Sequence, residues 1–269
     1  MNWQALDLSI LGPAIVAGCI VLLTHIPLGR RVLQRGIIFI DLAIAQIAGM
    51  GVIAAGTLFE AESGVLVQLS AFSAALLGAI GLHFSERYWP EVQEAIIGCT
   101  FVLAATGSIL LLANNPHGGE QLKNLLAGQV LWVTYEQLWI PLLISAVLLL
   151  LLQNRQKGVG NLVFYLSFAV AVTTSVQLVG VYLVFASLII PALFTRNLAV
   201  MPLTWAGIIG VAGYASGLLL SALLDLPASP LIVWMLAACG LIFTVFSKNS
   251  LVTNMHQKHK RKTSHTLSE

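Results

Sequence analysis

The chain has 269 residues, 58% of them hydrophobic and only 9% charged, with a mean hydropathy of +0.91. Soluble domains carry about a quarter charged residues, so a water-soluble fold is excluded, lipid is the solvent for most of this sequence, and no room remains for a sizeable extramembrane domain. The net charge of +2 comes without a basic stripe interleaved with aromatics, which gives nucleic acid no footing.

The opening MNWQALDLSILGP has no basic region ahead of its apolar run. That run is therefore expected to be a retained span, not a cleaved signal peptide. A helical span needs about 20 mostly apolar residues. Candidates in chain order are 10–28, 37–59, 65–84, 95–113, 138–152, 162–178, 181–194, 203–223 and 231–246. The fold class is an all-α polytopic integral membrane bundle of about 8–9 transmembrane segments. The run 162–194 is too long for one ordinary crossing and divides near Gly180, leaving a short second piece suited to a crossing or a re-entrant element. Residues 1–247 form the membrane domain, and the polar, basic tail 248–269 reads as disordered and cytoplasmic.

Positive charge favours the cytoplasmic side of short loops. With nine crossings and the N-terminus outside, 12 of the 13 Lys and Arg residues fall inside, Arg30, Arg31, Arg35, Arg87 and Arg196 among them, and only Lys123 lies outside. Fusing 162–194 into one span would move Arg196 and the basic tail outside, so the charges prefer the division. Asp7, Glu60, Glu62, Glu120, Glu136 and Asp225 gather on the outer side. They form either a lip favouring cations or simply loops that avoid Lys and Arg.

Cys19, Cys99 and Cys239 stand alone in apolar runs, which supports neither a disulfide frame nor a structural zinc site and reads as small buried side chains. Helices in lipid meet through small residues. Gly207, Gly210, Gly213 and Gly217 in "GIIGVAGYASG", and Ala43, Ala45, Ala48, Gly49 and Gly51, mark two helices built for close contact, within the chain or across a dimer.

Ionisable or amide groups inside a span are functional candidates. Asp41 lies about 6 Å and Gln46 about 14 Å from the inner end of their span. Asp41 serves either as an ion contact or as a structural partner of water or Arg35; Gln46 needs a partner from a neighbouring helix or a water-filled path. Five residues apart, the two are about 140° apart on a helix, so a simple joint chelate would need a distorted helix. His25 and His83 read as interfacial. His117 and Glu120, in "NNPHGGEQ", suit a borderline divalent ion at an outer entrance, or else belong to a flexible loop around Gly118-Gly119. Asp41 is the one acid well inside a span, no HExxH helix occurs, and Ser70 and Ser187 lack an evident base, which argues against an intramembrane enzyme.

Four stretches carry a family resemblance. "RGIIFIDLAIAQIAGMGV", "LLAGQVLWVTYEQL", "VQLVGVYLVFASLIIPALFTRNL" and "DLPASPLIVWMLAACGLIF" resemble, in order, segments of the permease subunits of bacterial ABC importers for zinc, manganese and related divalent metals. They cover about half the chain. The first departs from the family's Gly-Asp-x-x-x-His pattern: without gaps, Asp41 falls on the Gly, Leu42 on the Asp and Gln46 on the His. The resemblance implies a variant branch lacking the Asp–His pair, with Gln46 marking the same place on a translocation path as a weak, neutral contact. It also implies a multi-pass protein of the bacterial inner membrane, working as a homodimer with an extracytoplasmic metal-binding protein. A divalent metal ion is carried as substrate, and no cofactor is required. No G-x-x-x-x-G-K-[ST] loop is present, so ATP must be hydrolysed by a separate ATPase subunit. "ALFTRNLAVMP" resembles the coupling element that docks on it, placing Leu193, Thr195, Arg196 and Asn197 at the contact. Pro191 is expected to break the span there, and Arg196 is either a docking cation or a positive-inside anchor. The rival reading is a stand-alone secondary transporter using Asp41 as a proton or cation relay.

Overall fold

The computed structural model describes residues 8–58, 64–113, 115–153, 161–198 and 200–246. The tail beyond 247 and the acidic residues Asp7, Glu60 and Glu62 lie outside them. Among the described residues every regular element is helical. In order these are α1 (Leu8–Arg35), α2 (Ile40–Leu58), α3 (Val65–Tyr88), α4 (Gln93–Leu112), α5 (Gly118–Ala127), α6 (Tyr135–Gln153), α7 (Asn161–Val179), α8 (Val181–Thr195), α9 (Pro202–Leu224) and α10 (Ala228–Phe246). Seven are long and apolar enough to cross a membrane, and α6 and α8 are shorter apolar helices.

The division of 162–194 falls at Gly180, whose φ of +82° ends α7 and starts α8. Gly128, with φ +70°, ends α5 against the same point. A Cβ on either glycine would run into the other's backbone, so only glycine permits this approach. Pro191 does not end its helix: α8 continues to Thr195, whose Oγ1 donates to the Pro191 carbonyl at 2.8 Å. A single missing N–H is tolerated where neighbouring helices and hydroxyls satisfy the backbone.

Helices apolar on every face belong in the centre of a bundle. That is where α7 and α8 sit, mostly buried around Phe164, Tyr165, Phe168 and Leu183. On one side α1 and α9 pack against α8; on the other α2 packs against α3, α4 and α7. Small side chains set these distances. Ala71, Ala75 and Ala79 form the buried face of α3, and the Ser70 hydroxyl donates to the Gly51 carbonyl at 2.7 Å. Gly210 faces Leu22, Gly213 faces Leu236 and Gly217 faces Ile232, so these glycines of α9 serve packing inside the chain. Ser187 meets the Tyr214 hydroxyl at 2.8 Å, likewise a packing contact. The cysteines are free; contrary to expectation none is fully buried, Cys19 and Cys239 being half-buried and Cys99 exposed on α4.

Connectivity puts the C-termini of α1, α3, α6 and α8 at one end with the N-termini of α2, α4, α7 and α9. Arg30, Arg31, Arg35, Arg87 and Arg196 all lie at this end, and Lys123 lies at the other. Exposed aromatics mark both ends: Tyr88, Trp89 and Trp205 at the basic one, Trp132, Tyr135 and Trp139 at the opposite one. Such belts sit at the two interfaces of a bilayer.

Candidate functional site

The turn between α1 and α2 sets where the polar residues fall. Gly36 takes φ +73°, and residues 37–39 lie outside the helices. This turn is held from α4: the Ile38 amide donates to Glu94 Oε1 at 2.6 Å. Helix α2 therefore starts at Ile40, not at 37. Asp41 sits in its first turn, and Gln46 lies only about 9 Å in.

Asp41 is 1% exposed. Its own amide and that of Leu42 lie close by at the open helix end. Neither oxygen closes a hydrogen bond of good geometry. Arg35 is not its partner. That guanidinium stands 3.9 Å from Glu86 and 4.1 Å over the Phe164 ring.

Gln46 is 3% exposed and its Oε1 has no hydrogen-bond partner. It borders a cavity of about 570 Å³ together with Leu42, with Phe101, Ala105 and Ile109 of α4, and with Leu122 and Leu126 of α5. The far wall is Tyr182, Phe185 and Ile190 of α8, with Val233 and Trp234 of α10. Leu42 and Gln46, four residues apart, share the helix face that lines this space. Asp41 is not on its wall. The structure thus separates Asp41 from Gln46, as the 140° offset requires. The cavity offers neutral oxygen donors from Gln46 and Tyr182 among apolar and aromatic walls. Among the described residues no three His, Cys, Asp or Glu side chains gather where they could hold a metal ion.

Of His117 and Glu120 only Glu120 lies in a helix; His117 sits in the turn ahead of it. His117 immediately precedes α5, its amide donating to Asn115 Oδ1 at 2.9 Å, and Glu120 occupies the helix's first turn. Both are exposed at the non-basic end. Gly118 packs against the carbonyl of Leu112, which explains a glycine there. At the basic end Thr195 faces inward, Leu193 is half-buried, and Arg196 and Asn197 are exposed on the turn closing α8.

The sequence reads His25 and His83 as interfacial and gives Gln93 no role. His25 is fully buried within α1, not interfacial, because α1 runs on to Arg35. Its Nδ1 lies 2.9 Å from the Val21 carbonyl, which requires the proton on Nδ1 and leaves Nε2 a bare, unpartnered acceptor. His83 is half-buried, its ring 5.7 Å from that of Tyr165. Gln93 bridges the same region, accepting from Ser85 at 2.8 Å and donating to the Tyr165 hydroxyl at 3.2 Å. None of these residues falls in a sequence pattern of its own; helix length and packing decide their roles.

An all-α bundle with aromatic belts at both ends and a flank cavity between five helices defines a polytopic membrane protein. The family model for the ABC 3 transport family matches residues 7–164 and 157–247, and the chain belongs to that family. It is 24% identical over 281 residues to the manganese transport system membrane protein MntC of Halalkalibacterium halodurans, covering 96% of this chain and 94% of that one. It is 25% identical over 265 residues to the high-affinity zinc uptake system membrane protein ZnuB of Haemophilus influenzae, covering 90% and 99%. Its fold is similar to a chain of PsaBC from Streptococcus pneumoniae in complex with Fab, with TM-score 0.68 and 20% identity over 86% of this chain and 89% of that one.

Proposed function

We propose that this chain is the permease of an ATP-driven importer for a divalent metal, zinc or manganese, working as a homodimer. The observation that carries the reading is the shared face of Leu42 and Gln46: the positions that resemble the family's metal-binding pair border the cavity, while Asp41 does not. The named functions of the two relatives, manganese transport and zinc uptake, supply the substrate class. The basic end faces the cytoplasm by the positive-inside rule, which puts the N-terminus outside and the C-terminus inside. The cavity is bordered on its open side by exposed Tyr182 and Trp234, a surface that a second copy would cover. Exposed Arg196 and Asn197 would meet the ATPase, with Thr195 fixing the helix end behind them, and His117 and Glu120 lie where an extracytoplasmic metal-binding protein would deliver its cargo.

Gln46 acts as a neutral transit contact, strong enough to replace one water of the ion and weak enough to release it. The test is uptake of radiolabelled zinc and manganese into proteoliposomes holding this chain and the ATPase that co-purifies with it. The reading requires metal- and ATP-dependent accumulation that stops when the ATPase is omitted. Accumulation without the ATPase that collapses with the proton gradient would refute it.

A further inference from the structure

The turn that leads from α1 into α2 is tied to two other walls of the Gln46 cavity. On one side Glu94, in the first turn of α4, accepts a hydrogen bond from the Ile38 amide at 2.6 Å, a length that marks a charge-assisted bond. On the other, the Phe39 ring stacks on Phe185 of α8, with centroids 6.4 Å apart and planes within 10°. Phe185 is itself a wall of the cavity. The second carboxylate oxygen of Glu94 is buried without a partner. Leaving a buried acceptor unpaired is costly, so solvation does not account for a carboxylate at this place.

Glu94 stands on the face of α4 that confronts Gln46. Phe101 and Ala105 follow it by seven and eleven residues, which returns a helix to within about 20° of the same direction, and both line the cavity with Gln46. The Ile38 bond is thus the foot of the contact between α2 and α4, and the cavity lies farther along it. A slip of one residue at the start of α2 would turn that helix by about 100° and take Leu42 and Gln46 off the wall.

We propose that Glu94 is a positioning residue for transport: its oxygen fixes the height and rotation of α2 and keeps Leu42 and Gln46 facing the cavity, a role that rests on the cavity being the metal's path. The site needs the acceptor and not the charge, so glutamine should serve and leucine should not.

The test compares Glu94→Leu with Glu94→Gln in the full chain. Hydrogen exchange read by mass spectrometry should show the Ile38 amide exchanging about tenfold faster or more in Glu94→Leu, as loss of a hydrogen bond to a charged group requires. Glu94→Gln should keep its protection, and amides in the middle of α4 should not change in either. Leu42→Cys, with Cys19, Cys99 and Cys239 replaced by serine, reports the cavity wall: its rate of maleimide labelling should change at least about threefold on adding Glu94→Leu and stay put on adding Glu94→Gln. In proteoliposomes with the ATPase, Glu94→Leu should lose metal uptake and Glu94→Gln should retain it. Unchanged Ile38 exchange, released Ile38 with unchanged labelling, normal uptake by Glu94→Leu, or equal loss in both variants would each overturn the proposal. Absence of uptake from the parent chain would instead sink the permease reading, and exchange and labelling would still judge whether Glu94 sets the wall.

Discussion

Gln46→Leu separates a residue that serves transport from one that serves the fold. Gln46 is 3% exposed and its Oε1 has no partner. Leaving a buried acceptor unsatisfied costs about 1–3 kcal/mol. Leucine has similar size and no polar atom, so the substitution should remove that cost and make the protein more stable. At about 2–4 °C per kcal/mol for a chain of this size, the midpoint of thermal unfolding in detergent should rise by several degrees. Uptake should be lost in the same preparation, because a leucine side chain has no oxygen to offer a passing ion. Tryptophan fluorescence on heating and radiolabelled metal accumulation read the two effects separately. A lower midpoint would show that Gln46 holds the bundle together through a partner, and unchanged uptake would remove it from the path; either result refutes the reasoning.

Leu42→Asp combined with Gln46→His places a carboxylate and an imidazole one helical turn apart on the cavity wall; zinc should bind at least about tenfold tighter by calorimetry, or about 1.4 kcal/mol, and unchanged affinity would show that the two positions do not converge. Gly128→Ala should destabilise the bundle by more than about 1 kcal/mol, since φ is positive and the new methyl meets the Val179 carbonyl; an unchanged unfolding midpoint would contradict the close approach. Arg196→Glu should weaken co-purification of the ATPase several-fold, and equal recovery would leave Arg196 as a charge anchor. His117→Ala should raise the external metal concentration giving half-maximal uptake, and an unaltered value would show that the exposed imidazole takes no part in entry.

The helices are legible in the sequence because their signal is collective. Long apolar runs, the φ-permissive Gly180 and the one-sided placement of arginines each point to the same bundle, and the structure groups those arginines at one end. The interior polar residues are less legible. That Asp41 and Gln46 face different ways follows from helical angle alone. That Leu42, an ordinary apolar residue, shares the cavity wall with Gln46 requires the resemblance and then the packing of α4, α5 and α8. Hydropathy misplaces His25 because the apolar run stops at Leu28, while the helix carries on through Pro27 and Gly29 to Arg35. Gly118-Gly119 suggests a loop, yet the first glycine is there to fit against Leu112 at the start of a helix.

Helix α8 is a strut about 22 Å long, with Arg196 at its foot and Gly180 at its head, where it bears directly on the backbone of Gly128. With no side chain between the two glycines, the joint has no slack to absorb movement. Spin labels at exposed Asn197 and Gln129 would follow whether foot and head move together. On the proposed reading, an ATPase pressing on the foot would act through α8 on the tip of α5, whose Leu122 and Leu126 line the Gln46 cavity.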